Sequence, residues 1–305
     1  MGNYERLGQL SVVGMYGAKK RFCKYINTLM PHDIEIYIEP FGGSASVLLN
    51  KPRHKTEIYN DISNSLCTMF RVLSSSDKAD KFMICLYELE VNETVFQECK
   101  EYKHIEDKHL EHNYSKYSHL NKITDSELRL AVATYFIYTN SRNCVGVQYN
   151  PKYETRDKYL NHISKLNYAI NRLRNVYVVS TPKHFREFKQ YLDNPKVLMY
   201  CDPPYLRDTN AKSDENYAPG KHYSFNLTLQ EHIELLKMIQ LCKAKIIISN
   251  YIDCDKIYPQ YLEEGKELST ENLKRFKSFK RIEIPTITTL SGKRENRVEV
   301  LWTNI

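Results

Sequence analysis

The chain lacks several features that would each have pointed elsewhere. None of its eight cysteines forms a Cys-x-x-Cys pair, so neither a zinc site nor a disulfide framework is suggested, and buried thiols in a reducing compartment are the plain explanation. No run approaches the roughly 20 apolar residues of a membrane span. The stretch Met1-Gly2-Asn3-Tyr4-Glu5-Arg6 has no apolar centre of the kind a signal peptide needs. A soluble, intracellular protein is expected. There is no Gly-x-x-x-x-Gly-Lys-Ser/Thr phosphate loop, and no internal repeat of solenoid length.

What remains is 305 residues, 42% hydrophobic and 27% charged, enough for one large domain or a domain carrying a sizeable insertion. A formal net charge of +7 is compatible with a polyanionic partner without requiring one. The 24 tyrosines fit an AT-rich coding bias as well as base-stacking surfaces.

Short β-rich runs (Ile34–Ile38, Glu57–Tyr59, Val176–Val179, Val197–Cys201 and Lys245–Ser249) alternate with helical periodicity. That alternation predicts a mainly parallel α/β sheet. Thr228-Leu229-Gln230-Glu231 has the capping-box pattern, and Leu229, Ile233, Leu236 and Ile239 or Gln240 follow at helical spacing. Arg281–Ile284 and Val298–Trp302 flank a polar turn with Ser291-Gly292-Lys293 and predict a closing antiparallel hairpin, which makes the sheet mixed. Between about Ser65 and Asn175 the alternation gives way to helical patterns and a charged, histidine-rich stretch. The expected organisation is therefore a split domain, 1–65 with 175–305, and an inserted, mainly helical subdomain, 66–174. The polar run Arg207–Lys221 is expected to be either a lid or a plain surface loop.

Two stretches carry chemistry. Glu39-Pro40-Phe41-Gly42-Gly43-Ser44 lies where a strand turns into a helix, the place where α/β sheets bind nucleotide-like ligands. Glycines let the backbone approach a cofactor closely. The next strand ends in Asn60-Asp61-Ile62, which puts the Asp61 carboxylate in position for ribose hydroxyls. The glycine turn departs from the full dinucleotide fingerprint, so a cofactor without pyrophosphate fits better. At the other stretch, Asp202-Pro203-Pro204-Tyr205, a carboxylate and an outward backbone carbonyl could accept both hydrogens of a planar exocyclic amine, and the tyrosine offers a face for stacking a base. A simple strand-ending turn would use the same residue types.

Taken together and in order, Gly17-Ala18-Lys19, Glu39–Gly43 with Val47–Pro52, Tyr59–Ile62, Asp202–Tyr205 and Ile248-Ser249-Asn250-Tyr251 make the chain resemble the DNA adenine methylase (Dam-like, D12-class) family. The resemblance implies a Rossmann-like class I methyltransferase with a mixed, mostly parallel seven-stranded sheet, and S-adenosyl-L-methionine as cofactor. It assigns Tyr16, Gly17, Ala18, Lys19, Glu39, Pro40, Phe41, Gly42, Gly43, Ser44, Asp61, Ile62 and Asp202 to the cofactor side. Asp202, Pro203, Pro204 and Tyr205 carry catalysis in this reading, and the insert recognises the target through Arg142, Asn143, Tyr149, Asn150 and Arg156. Ala45 stands where many relatives have glycine, and Ala18 replaces a frequent Gly or Ser.

The expected partner is double-stranded DNA, with no metal, a monomer or dimer, and a restriction endonuclease acting in trans as an option. The expected reaction moves a methyl group to N6 of a flipped-out adenine. Methylation of the cytosine amine shares this geometry but is more often associated with Ser at the position of Asp202. Protein glutamine or RNA methylation goes with Asn there. A silent DNA-binding homologue keeps the fold without the chemistry. A metal site on His104, His109, His112 and His119 would need those irregularly spaced residues to converge. Carbon methylation of cytosine would need a Pro-Cys nucleophile, and no such pair occurs.

Overall fold

The computed structural model describes residues 10–15, 17–111, 116–151, 156–205, 226–252, 257–290 and 293–305. In chain order the elements begin with α1 (Cys23–Leu29), β1 (Ile36–Glu39), α2 (Ser46–Asn50), β2 (Thr56–Tyr59), α3 (Asn64–Ser74), α4 (Ser76–Glu88) and α5 (Glu93–Lys108). There follow α6 (Ser126–Asn140), α7 (Arg156–Ser164), α8 (Leu166–Leu173), β3 (Val176–Val178) and β4 (Val197–Cys201). The chain ends with α9 (Leu229–Ile239), β5 (Lys245–Tyr251), α10 (Tyr258–Leu262), α11 (Thr270–Arg275), β6 (Lys280–Leu290) and β7 (Lys293–Thr303). The strands form one sheet in the order β3-β2-β1-β4-β5-β7-β6. Pairs β2–β3, β1–β4 and β4–β5 are parallel, while β7 runs antiparallel to both β5 and β6. This is the mixed, mostly parallel sheet that the alternating runs predict. Among the described residues, no helix is long and apolar enough to cross a membrane.

Packing divides the chain into two compact units, Met1–Thr28 with Gly42–Pro182 and Leu29–Phe41 with Lys183–Ile305. At the centre of the first, α6 is buried along its whole run from Leu130 to Asn140. A helix apolar all round must be enclosed, and α6 packs on α3, α4 and α5. In the second unit every residue of β4 is buried. A parallel strand covered on both faces reads as a continuous apolar run, which Val197–Cys201 is.

Two sequence-based expectations need correcting. The closing hairpin is much longer than Arg281–Ile284 and Val298–Trp302, with pairing continuing from Lys280↔Thr303 to Leu290↔Lys293. The extension is rich in Thr, Arg and Glu, so it carries no apolar alternation to mark it. Helix α9 buries His232, Leu235, Leu236 and Ile239, whereas Leu229 is exposed. The helix is phased on a histidine that the apolar pattern passes over. The N-terminus of α9 is as expected: the Thr228 side chain accepts from the Glu231 amide, and the Glu231 carboxylate reaches back to the Thr228 N–H.

The first unit is tied together by a buried ion cluster on β2. Arg172 of α8 donates Nη1 to Glu57 Oε2 (2.7 Å), and donates Nη2 to Glu57 Oε1 (2.8 Å) and to the Leu48 carbonyl (2.6 Å). Lys51 pairs with the same carboxylate from the C-terminus of α2. Burial alone would raise the Glu57 pKa, but Arg172 and Lys51 together bring it below the usual glutamate value. Removing one partner of such a cluster leaves buried charge uncompensated. Glu57→Ala, which strands two cations, is expected to lower unfolding free energy by about 3–5 kcal/mol in urea titration, and an effect under about 1 kcal/mol would mean that water reaches the cluster.

Candidate active site

In the second unit, Asp202–Tyr205 leave the carboxyl end of β4. Asp202 Oδ1 accepts the Ser249 hydroxyl of β5 at 2.7 Å and lies 3.2 Å from the Tyr205 hydroxyl. That hydroxyl also reaches Glu299 Oε1 at 2.5 Å. Glu299 is buried on β7, directly opposite Tyr251 of β5. A phenol has one proton to donate, so Tyr205 serves one carboxylate at a time. Burial first, then Asp202 and Glu299, push its pKa well above 10, so it stays a phenol. Its ring packs at 71° to that of Tyr251, with centroids 4.5 Å apart.

Behind the tetrapeptide, the fully buried His232 of α9 lies 2.9 Å through Nε2 from the Pro204 carbonyl and 3.2 Å through Nδ1 from the Tyr258 hydroxyl. Burial pushes the imidazole from 6.5 down to about 4, against the raising influence of the Pro204 carbonyl and Glu231. Earlier in the same unit, buried Glu39 accepts the Tyr37 hydroxyl at 2.6 Å, Pro40 is buried, and the Phe41 ring lies 5.9 Å from that of Phe185.

The first unit holds the glycine turn. The Gly42 amide donates to the Asn60 carbonyl (2.7 Å), and a Cβ on Gly42 would meet the Tyr59 ring at 2.2 Å. Gly43 has φ +49 and open space where its Cβ would be. Its amide donates to Asp61 Oδ2 (2.9 Å), the Ser63 amide donates to Asp61 Oδ1 (2.9 Å), and the Tyr59 hydroxyl donates to the Gly43 carbonyl (2.8 Å). Asp61 therefore clips the turn to the end of β2. Burial raises its pKa above the ordinary value in spite of the two amides, and Asp107 adds to the rise. Asp107 of α5 accepts from the Ser65 amide (2.8 Å) and the Ser65 hydroxyl (2.9 Å) at the start of α3, and from Lys103 (2.7 Å) one turn earlier on its own helix.

Ser44 is buried against Ser46 (Oγ to Oγ 2.7 Å), and Ile62 is 43% exposed. Lys19 is buried and donates Nζ to the Gly17 carbonyl at 3.0 Å, across Ala18. Tyr16 lies outside the described residues, as does Arg207–Lys221.

Ser141 and Tyr149 form an antiparallel bridge, and the Arg142 amide donates to the Gln148 carbonyl, which makes 141–149 a small hairpin. Arg142 and Asn143 are exposed at its turn, and Asn143 adopts a left-handed conformation (φ 56, ψ 17). Tyr149 is 5% exposed and packs on Phe96, while the Asn150 amide donates to the Asn140 carbonyl. Arg156 opens α7. Among the described residues, no group of three His, Cys, Asp or Glu side chains converges as a metal site would require.

The strand order, the antiparallel β7 beside β5 and the turns at the carboxyl ends of β1, β2 and β4 define a Rossmann-like methyltransferase fold. The chain belongs to the D12 class N6 adenine-specific DNA methyltransferase family, which it matches over residues 16–283. It is also similar to a Haemophilus influenzae (strain ATCC 51907 / DSM 11121 / KW20 / Rd) protein named "Putative methyltransferase", with 21% identity over 301 residues, covering 92% of this chain and 88% of that one. In general terms the family makes the chain an adenine DNA methyltransferase, with a methyl donor and a DNA substrate implied.

Sequence reasoning gave no role to Ser249, Glu299 or His232. Ser249 was visible as part of Ile248–Tyr251. Glu299 alternates with Val298 and Val300, and on a half-solvated strand it would face water. His232 could be found only by phasing α9 on 232, 235, 236 and 239.

Ala45, at the N-cap of α2, is fully buried with φ 53 and ψ 31, a left-handed conformation that burdens a side chain and not glycine. Ala45→Gly is therefore expected to raise unfolding free energy by about 0.5–1 kcal/mol in urea titration, and a loss of stability would mean that its buried methyl outweighs the strain. A histidine held neutral by folding contributes stability that is full above its unfolded value of 6.5 and is lost as pH falls towards the folded value of about 4. The drop in melting temperature between pH 7 and pH 4.5 should accordingly be smaller in His232→Gln than in the natural chain. Equal drops would show that His232 contributes nothing to acid lability.

Proposed function

We propose that the protein is a site-specific enzyme that transfers a methyl group from S-adenosyl-L-methionine to the exocyclic N6 amine of an adenine flipped out of double-stranded DNA. The observation that carries this reading is the Asp202–Tyr205 turn at the carboxyl end of the central strand β4, in a member of an adenine-methylating family. The donor fits the residues present: the Gly43 backbone has open space beside it, and each Asp61 oxygen keeps a lone pair after accepting one amide, enough for ribose hydroxyls. We also assign to the donor Gly42, Ser44, Ile62 and Lys19 of the first unit, and Glu39 with the Pro40 and Phe41 that follow it at the end of β1 in the second. When bound, the donor supplies an electrophilic methyl on a sulfonium sulfur.

The chain's own contribution is to hold the amine. Asp202 accepts one N–H of the adenine, the Pro203 carbonyl accepts the other, and the nitrogen lone pair is left aimed at the methyl group. The Ser249 hydroxyl on Asp202 Oδ1 keeps the carboxylate oriented, and the part of Asp202 in the reaction is to support developing positive charge, since a carboxylate is too weak a base to deprotonate an aromatic amine beforehand. Proton loss follows transfer. The Tyr205 ring supplies stacking that offsets the few kcal/mol of extracting the base. Arg142 and Asn143, exposed at the turn of the 141–149 hairpin, are the best-presented DNA contacts, with Tyr149 and Asn150 shaping the hairpin and Arg156 beyond it.

Purified protein incubated with S-adenosyl-L-methionine and unmethylated plasmid should yield N6-methyladenine within one short sequence context when modified bases are mapped. Asp202→Ala should lower the rate by about 10²-fold or more. Methylation confined to cytosine, or an Asp202→Ala variant as active as the natural chain, would overturn the reading.

A further inference from the structure

The backbone between Asp202 and Tyr205 has little freedom except at one torsion. The prolines fix φ at 203 and 204, and each residue that precedes a proline, Asp202 and Pro203, is confined to extended ψ. Pro204 precedes a tyrosine, so its ψ is the soft torsion, and it sets the direction in which Tyr205 leaves the turn. The Pro204 carbonyl swings with that torsion. His232 Nε2 lies 2.9 Å from this oxygen. A carbonyl can only accept, so Nε2 carries the proton and Nδ1 presents a lone pair to the Tyr258 hydroxyl at 3.2 Å. Both His232 and Tyr258 are fully buried. The bonds run in one direction, from the Tyr258 hydroxyl to Nδ1 and from Nε2–H to the Pro204 oxygen.

We infer that His232 is a positioning residue for methyl transfer: by holding the Pro204 carbonyl it locks the last soft torsion of the turn and fixes the Tyr205 ring relative to Asp202. Tyr205 is then restrained at both ends, at its backbone by His232 and at its hydroxyl by Glu299 and Asp202. Burial keeps the imidazole neutral above about pH 4, so the donor and acceptor roles of its two nitrogens do not change in neutral solution. Protonation at Nδ1 would turn the Tyr258 contact into a clash of two donors unless the hydroxyl rotated. The inference rests on the adenine-methylating reading above and gives a role to a residue outside every motif that carries that reading.

Two measurements test it. In the full-length protein labelled with 15N-histidine, His232 should give the shift pattern of a neutral imidazole protonated at Nε2. The Nδ1-protonated or fully protonated pattern at pH 7 would overturn the clamp, whatever the activity. In steady-state methylation of mapped plasmid sites, His232→Ala should lower kcat by about 10–10²-fold with the KM for S-adenosyl-L-methionine within about twofold of the natural value. His232→Gln, which returns an N–H near the Nε2 position, should recover most of the loss. An unchanged kcat in His232→Ala, or a His232→Gln variant no better than alanine, would sink the idea. If His232→Ala does not fold cooperatively, Tyr258→Phe decides: one oxygen is removed, and kcat should fall several-fold at constant KM, with no change counting against the clamp. A natural chain that shows the Nε2–H pattern yet leaves adenine unmethylated would overturn the proposed reaction and, with it, the positioning role, while the hydrogen bond itself stands.

Discussion

Much of the second unit depends on the need to satisfy the backbone of β4. Val197–Cys201 is buried at every side chain, so its peptide groups have no access to water and must pair on both edges. They do so with β1 and β5, from Ile36↔Val197 on one side to Cys201↔Ile248 on the other. The strand can neither slip nor bend without exposing unpaired groups, and the residue that follows it is held at a fixed height. That residue is Asp202. Beside it, β5 brings the Ser249 hydroxyl, and β7 brings Glu299 to the hydroxyl of Tyr205. A family of strands whose registers are set by burial thus delivers three polar side chains to one end of the sheet.

The first unit solves a different problem with the same means. A glycine turn that leaves open space at Gly43 would be floppy if left to itself, since glycine has the largest entropy to lose. Asp61 limits that freedom by taking the Gly43 and Ser63 amides on its two oxygens, while the Tyr59 ring fills the place a side chain on Gly42 would need. Asp107, from a helix more than forty residues further along, caps the start of α3 just after Asp61. Helix α5 is thereby fastened to the segment that follows Asp61. The buried Lys51–Glu57–Arg172 cluster secures the other end of β2 in the same unit.

The turns themselves were legible because their residue types are strong local punctuation, whether or not they carry chemistry. Gly42-Gly43 at a strand-to-helix turn, Asp61 at the end of the next strand and Asp202-Pro203-Pro204-Tyr205 after an apolar run are local signals, and the backbone around them has the form those residues imply. Ser249, Glu299 and His232 gave no such signal. Glu299 reads as a solvent-facing residue of an edge hairpin until β7 is seen to lie between β5 and β6, where its side chain is enclosed. His232 interrupts an apolar face, and only the phase of α9 shows that it is the centre of the buried stripe. The β6–β7 ladder was legible only at its inner end, where Arg281–Ile284 and Val298–Trp302 alternate, because the Thr-, Arg- and Glu-rich residues beyond carry no apolar alternation.

By itself, the order of residues determined the class of fold, the family and the positions of the two turns, since these follow from local chemistry: which residues admit left-handed backbone, which end a strand, which can accept two hydrogens. What only the tertiary structure decided is how those turns are held. The Glu299–Tyr205 contact spans 94 positions and the His232–Pro204 contact 28. Such pairings depend on sheet order and helix phase, which are set by the collective burial of many side chains and leave no mark on any short stretch of sequence.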